Sequence, residues 1–168
     1  MIENNLETYF KVATWISPVI VILLLILSAF FSGSETALTA SSRPKLRSMS
    51  DRGSVGAKKA LDITNDNESL IGTILLGNNI VNILATSLAT AYFVKLFGDK
   101  GIFLATFCMT VLILVFSELL PKTYAINNPE TAARRVAPLV LFFIYIFSPI
   151  IIFVRKFVQL LLSLIGLK

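Results

Sequence analysis

In a chain rich in apolar residues, a few oxygen-bearing side chains are placed where hydrocarbon is expected. Asn78 and Asn82 in "LLGNNIVNI" are spaced i, i+4 and share one helix face, while Asn79 sits about 100° around from Asn78. Thr86 and Thr90 continue the same stripe. Glu118 lies in "ILVFSELLPKTYAI", three residues ahead of Pro121. A charged side chain at the centre of a bilayer costs roughly 2.5–3.5 kcal/mol on insertion scales, so this acid needs a partner. Ser32 and Ser34 flank Gly33 in "FFSGSE". At 1.5 Å per helical residue, Asn78 and Glu118 are roughly 13 and 12 Å from the same surface, with the serines near it on a third segment. Serine, asparagine and carboxylate oxygens at one depth point to a site for a hard cation: magnesium, calcium, manganese or sodium. One carboxylate fits sodium as well as magnesium by charge count, so residue types do not decide between them.

Backbone groups add to this expectation. Pro121 has no N–H for the carbonyl of Ser117, four residues back. Gly33 and its serines are expected to break the first helix and free carbonyls near Ser32. Broken helices beside polar side chains are how transporters build cation sites. Each feature also has a plainer reading. An asparagine can hydrogen-bond a neighbouring helix for packing, Glu118 can pair with Lys122 at i+4, and the Ser-Gly-Ser stretch can be a small-residue packing notch.

The elements that must position these residues are apolar runs. The composition is 55% hydrophobic with only 15% charged residues and a mean hydropathy of +0.80. A soluble domain carries about 25% charged residues, so the fold class is an all-α membrane protein. Three transmembrane helices are expected over about 13–36, 69–95 and 101–126. The start, "MIENNLETYFK", is acidic and unlike a signal peptide, so the first run is expected to be retained. Segment 41–68 carries Arg43, Lys45, Arg47, Arg52, Lys58 and Lys59 and reads as cytoplasmic short helices with a break at Gly53. That orientation puts the N-terminus outside and the C-terminus in the cytoplasm. The last apolar run, Val136–Val154, within a segment of about 134–166, is long enough for a fourth span. Pro138, Pro149 and basic pairs at both ends (Arg134–Arg135 and Arg155–Lys156) favour a kinked juxtamembrane belt that does not cross.

The net charge of +5 is accounted for by the loops beside the spans, so no nucleic acid partner is expected; the partner is the lipid bilayer. The single cysteine, Cys108, cannot close an intramolecular disulfide, and with no histidine a zinc, copper or haem site is not expected.

"FFSGSETALTASSRPKLR", "LLGNNIVNI" and "FSELLPKTYAINNPE", in this order and spacing, resemble the signatures of the transmembrane domain of the CNNM/CorC family. The resemblance covers about residues 28–163, within a single domain spanning 1–168. It implies a homodimer in the cell inner membrane or plasma membrane, multi-pass, with three spans and a juxtamembrane belt. It implies magnesium transport, described as efflux driven by sodium entry. Carried over by motif, Ser32, Asn78, Asn82 and Glu118 are the expected ligands of Mg2+, completed by backbone carbonyls. Ser34, Glu35 and Asn79 are candidates for shaping the site or a Na+ path. The family's ATP-binding CBS modules and its small C-terminal domain are expected to follow such a domain and are not in this chain. The tail reads as the edge of a domain taken from a longer protein.

Two other functions fit parts of the pattern. A magnesium-sensing membrane module that moves no ion would need the same ligands. A membrane enzyme would need a nucleophile or a second clustered carboxylate beside Glu118, and Glu35 alone does not supply that chemistry. No enzymatic activity is expected.

Overall fold

The structure is a computed structural model. It describes the backbone of residues 2–164 and the side chains of residues 16–164. Every regular element among them is helical: α1 Ile2–Ala40, α2 Arg43–Asp51, α3 Val55–Asn65, α4 Asn67–Phe97, α5 Lys100–Leu112, a π-helical stretch Ile113–Leu119, α6 Leu120–Asn127 and α7 Pro129–Leu164. The all-helical membrane class follows directly from long apolar helices that leave large hydrophobic side chains such as Leu23, Ile26, Ile83, Phe103 and Phe107 exposed. In water such surfaces would aggregate; in lipid they are solvated.

Two compact units divide the chain. The first is built from residues 2–33 and 78–124. Its core joins three helices through Val21 of α1, Ala85 and Ala89 of α4 and Met109 of α5. Alanines four apart on α4 let the backbones approach, which is how helices associate where lipid is as apolar as leucine. The α4–α5 hairpin turns at Gly98, whose φ of 62° suits glycine.

The second unit, 34–77 with 125–164, holds the basic segment. As expected, it folds into two short helices with a break at Gly53, φ 90°. Ser54 caps α3, its hydroxyl accepting from the Ala57 N–H at 3.3 Å. Leu46 of α2, Ala57, Ala60 and Ile63 of α3, and Ala132, Ala133, Ala137 and Val140 of α7 are buried in this unit. α7 lies so close to α3 that a Cβ on Gly56 would run into the Arg134 carbonyl.

Two expectations are corrected. The count of three spans is not exact: four helices, Ile16–Ala40, Asn67–Phe97, Lys100–Asn127 and Pro129–Leu164, are long and apolar enough to cross a membrane. The last continues through Pro138 and Pro149, because a proline removes its own N–H from the ladder without preventing helical dihedrals on either side. Second, the Ser-Gly-Ser stretch does not break α1, which is helical to Ala40, so its carbonyls remain in a helix. Gly33 makes a notch instead. A Cβ there would stand 3.2 Å from the Cβ of Pro121, tighter than ordinary contact.

Candidate functional site

The polar side chains of the first unit converge on Glu118. The helix that carries it stays continuous past Pro121 but widens into π geometry over Ile113–Leu119, with the Leu120 N–H donating to Val115 O. A proline ring clashes with the carbonyl four residues back; a wider turn relieves that clash. The result differs from a simple opening at Pro121. The widened turn buries Ser117 completely, and its hydroxyl donates to Leu25 O of α1 at 3.0 Å. This bond ties the π turn to the first helix and sets Glu118 beside Ser32.

Glu118 accepts from three side chains. Ser32 Oγ donates to Oε2 at 3.1 Å. Asn78 Nδ2 donates to Oε1 at 3.2 Å. Lys122 Nζ lies 2.9 Å from Oε2, one helical turn along. Asn78 is fixed from its other end, where Oδ1 accepts from Ser28 Oγ at 2.8 Å and from Asn82 Nδ2 at 3.4 Å. Because Asn78 Oδ1 is the acceptor in both, the Asn82 amide must present its nitrogen there. That leaves Asn82 Oδ1 buried with no hydrogen-bond partner. An unsatisfied buried acceptor costs about 1–3 kcal/mol.

Of the expected ligands, Ser32, Asn78 and Glu118 are thus brought into direct contact, and Asn82 joins through Asn78. Asn79 is exposed. Ser34 and Glu35 open the second unit; Ser34 Oγ is buried without a partner, and the Glu35 carbonyl accepts from Thr39 at 2.7 Å. Sequence reasoning missed Ser28, which is fully buried and anchors Asn78. Its signal was available: Ser28 and Ser32 are spaced i, i+4, like Asn78 and Asn82. The pairing of Glu118 with Lys122, one of the plainer alternatives, is present together with the wider network.

Among the described residues no three His, Cys, Asp or Glu side chains come together, so Glu118 is the anionic part of this cluster. Neutral amide and hydroxyl oxygens around one carboxylate are hard donors, suited to a hard cation.

Residues 19–168 match the family described as the Cyclin M transmembrane N-terminal domain. The chain belongs to the CNNM family. It is 39% identical over 150 residues to a "UPF0053 protein" of Haemophilus influenzae, covering 89% of this chain and 36% of that protein. It is 37% identical over 142 residues to the "UPF0053 inner membrane protein YfjD" of Escherichia coli, covering 84% and 33%. It is 34% identical over 137 residues to the "Metal transporter cnnm-4" of Caenorhabditis elegans, covering 78% and 29%. The chain therefore spans about a third of the length of these relatives, and its CNNM domain is a multi-pass membrane domain.

Proposed function

We propose that this CNNM domain carries magnesium across the inner or plasma membrane, as an exporter driven by sodium entry, and that it works as a homodimer. Ser32, Asn78, Asn82 and Glu118 are the proposed ligands. The observation that carries the reading is the buried, unpartnered Oδ1 of Asn82 beside the Asn78–Glu118 pair. An oxygen left unsatisfied at such cost gains from a cation that accepts its lone pair. Family membership and a relative named as a metal transporter point the same way. Ser34, Glu35 and Asn79 are the proposed contributors to a sodium path.

Of the four helices long enough to cross, three cross in the proposed topology, with the N-terminus outside and α7 as a belt on the cytoplasmic side. Two contacts within the second unit support it. Near its start α7 meets α3, at Gly56 and Arg134. Further on, Ile151 packs at the Gly72 position and Arg155 Nη2 donates to Ser69 Oγ at 2.9 Å, beside the first turns of α4. Arg134 and Arg155 thus both meet the stretch from α3 to the first turn of α4, as the charge rule favours. Lys156→Cys should resist impermeant thiol reagents applied outside intact cells; labelling there would make α7 a fourth span.

The decisive experiment is magnesium flux into dye-loaded liposomes by wild type and Glu118→Gln at matched folded levels. The reading requires flux in wild type and its loss in the variant. Binding without flux in wild type would make the domain a magnesium sensor. Wild-type flux in Glu118→Gln would remove Glu118 from the site.

A further inference from the structure

Lys122 has no task in the site as proposed so far, yet it holds the shortest contact to the key carboxylate. Of the three donors on Glu118, it alone is charged and it alone ends a long flexible stem. Its side chain is 39% exposed, whereas Ser32 is 1% exposed. An ammonium on such a stem can leave and return without disturbing the helices. Glu118 also lines a mostly apolar cleft of about 350 Å³, with Thr86, Met109, Thr110, Ile113 and Leu114 among its walls. Thr106, Thr110 and Leu114 precede Glu118 along α5 and the π stretch, while Lys122 lies one turn beyond it, toward Asn127. Glu118 therefore edges a mostly apolar cleft and carries a tethered positive charge one helical turn further along.

We infer that Lys122 is a built-in competitor for the cation site. Its ammonium occupies Oε2 and must swing away before a cation can use the whole carboxylate. Its return repels the bound cation and restores charge neutrality at Glu118, so each release is coupled to re-formation of the ion pair. A lysine that merely neutralised Glu118 for life in the membrane would show no antagonism with the cargo. The inference rests on the magnesium-transport reading and adds the regulation of that same site.

The test is magnesium binding to the purified chain in detergent, by titration calorimetry, for wild type, Lys122→Met and Lys122→Arg. Removing the competitor should tighten magnesium binding by about tenfold, since a site occupied most of the time by a competitor loses apparent affinity in proportion. The arginine fork can hold a carboxylate through two bonds, so Lys122→Arg should bind more weakly than wild type. Unchanged or weaker binding in Lys122→Met would overturn the inference while leaving the transport reading in place. Absence of magnesium binding in wild type would overturn both. A second measurement needs no variant: labelling of Lys122 by an amine reagent, followed by mass spectrometry, should speed up several-fold at saturating magnesium, and equal rates with and without magnesium would again overturn it.

Discussion

Two ion-pair clusters, one in each unit, use similar groups for opposite ends. In the second unit Arg155 reaches Asp66 at 3.5 Å, Glu68 at 3.2 Å and Ser69 at 2.9 Å. Asp66 also caps α4, accepting from the Ser69 N–H at 3.1 Å and the Ser69 hydroxyl at 2.6 Å. These carboxylates are well exposed, 61% and 76%. They hold a helix start and join it to α7. In the first unit, Glu118 is only 26% exposed and is the lone carboxylate, held by one ammonium and two neutral donors, with an unsatisfied amide oxygen nearby. An exposed, charge-rich cluster gains little from a further cation, because water and the guanidinium already serve it. A single half-buried acid with orphaned oxygen around it gains much more. What separates a structural cluster from a candidate site is thus burial and incomplete satisfaction, not the number of charges.

The largest effect that would sharpen this contrast is on magnesium binding. Glu118→Gln should weaken it by about a hundredfold or more, since a charged ligand is replaced by a neutral one of the same shape, while Asp66→Asn should leave it untouched. Equal losses in the two variants, read by calorimetry, would erase the distinction drawn here. Next comes the notch. Gly33→Val should push Pro121 away, misplace the Ser32–Glu118 pair and destabilise the first unit by about 1–3 kcal/mol, measured by detergent unfolding followed by circular dichroism. Asn82→Ala should lower magnesium affinity by about tenfold with little loss of stability, because it removes an oxygen that no protein donor uses and a long 3.4 Å bond to an Asn78 oxygen that Ser28 also holds. Unchanged affinity would return Asn82 to a packing role.

In the second unit the expected effects are small. Arg155→Ala should cost under about 1 kcal/mol of stability and leave magnesium binding alone. The Ser69 hydroxyl and N–H, with help from Arg155, hold the Asp66 carboxyl below the usual aspartate range. A depressed folded-state pKa stabilises above the ordinary aspartate value of about 3.9 and loses that contribution as pH falls through and below it. Detergent unfolding between pH 5 and pH 2 should therefore show a shallow acid-side decline that Asp66→Asn flattens.

Much of this protein was legible in the chain itself. Apolar runs placed the helices that carry the site: α4 and the α5–α6 run begin and end within a few residues of expectation, whereas α1 begins at Ile2, ahead of its apolar run, because hydropathy answers to bilayer thickness and not to where a helix starts outside it. The i, i+4 spacing of Asn78 and Asn82 gave their common face, and the basic segment with Gly53 gave α2 and α3, since both depend on local geometry. Tertiary structure alone decided the rest. Whether Gly33 breaks α1 or admits Pro121 depends on what packs opposite, and packing opposite made it a notch. The helix widens at Pro121 rather than opening, and the widened turn is tied to α1 by the Ser117 bond to Leu25, 92 residues away in the chain. That Ser28 anchors Asn78, that Lys122 takes Glu118 Oε2, and that Asn82 is left with a bare oxygen are outcomes of which donor reaches which acceptor first. Sequence sets the inventory of donors and acceptors; only the close approach of three helices assigns them to one another.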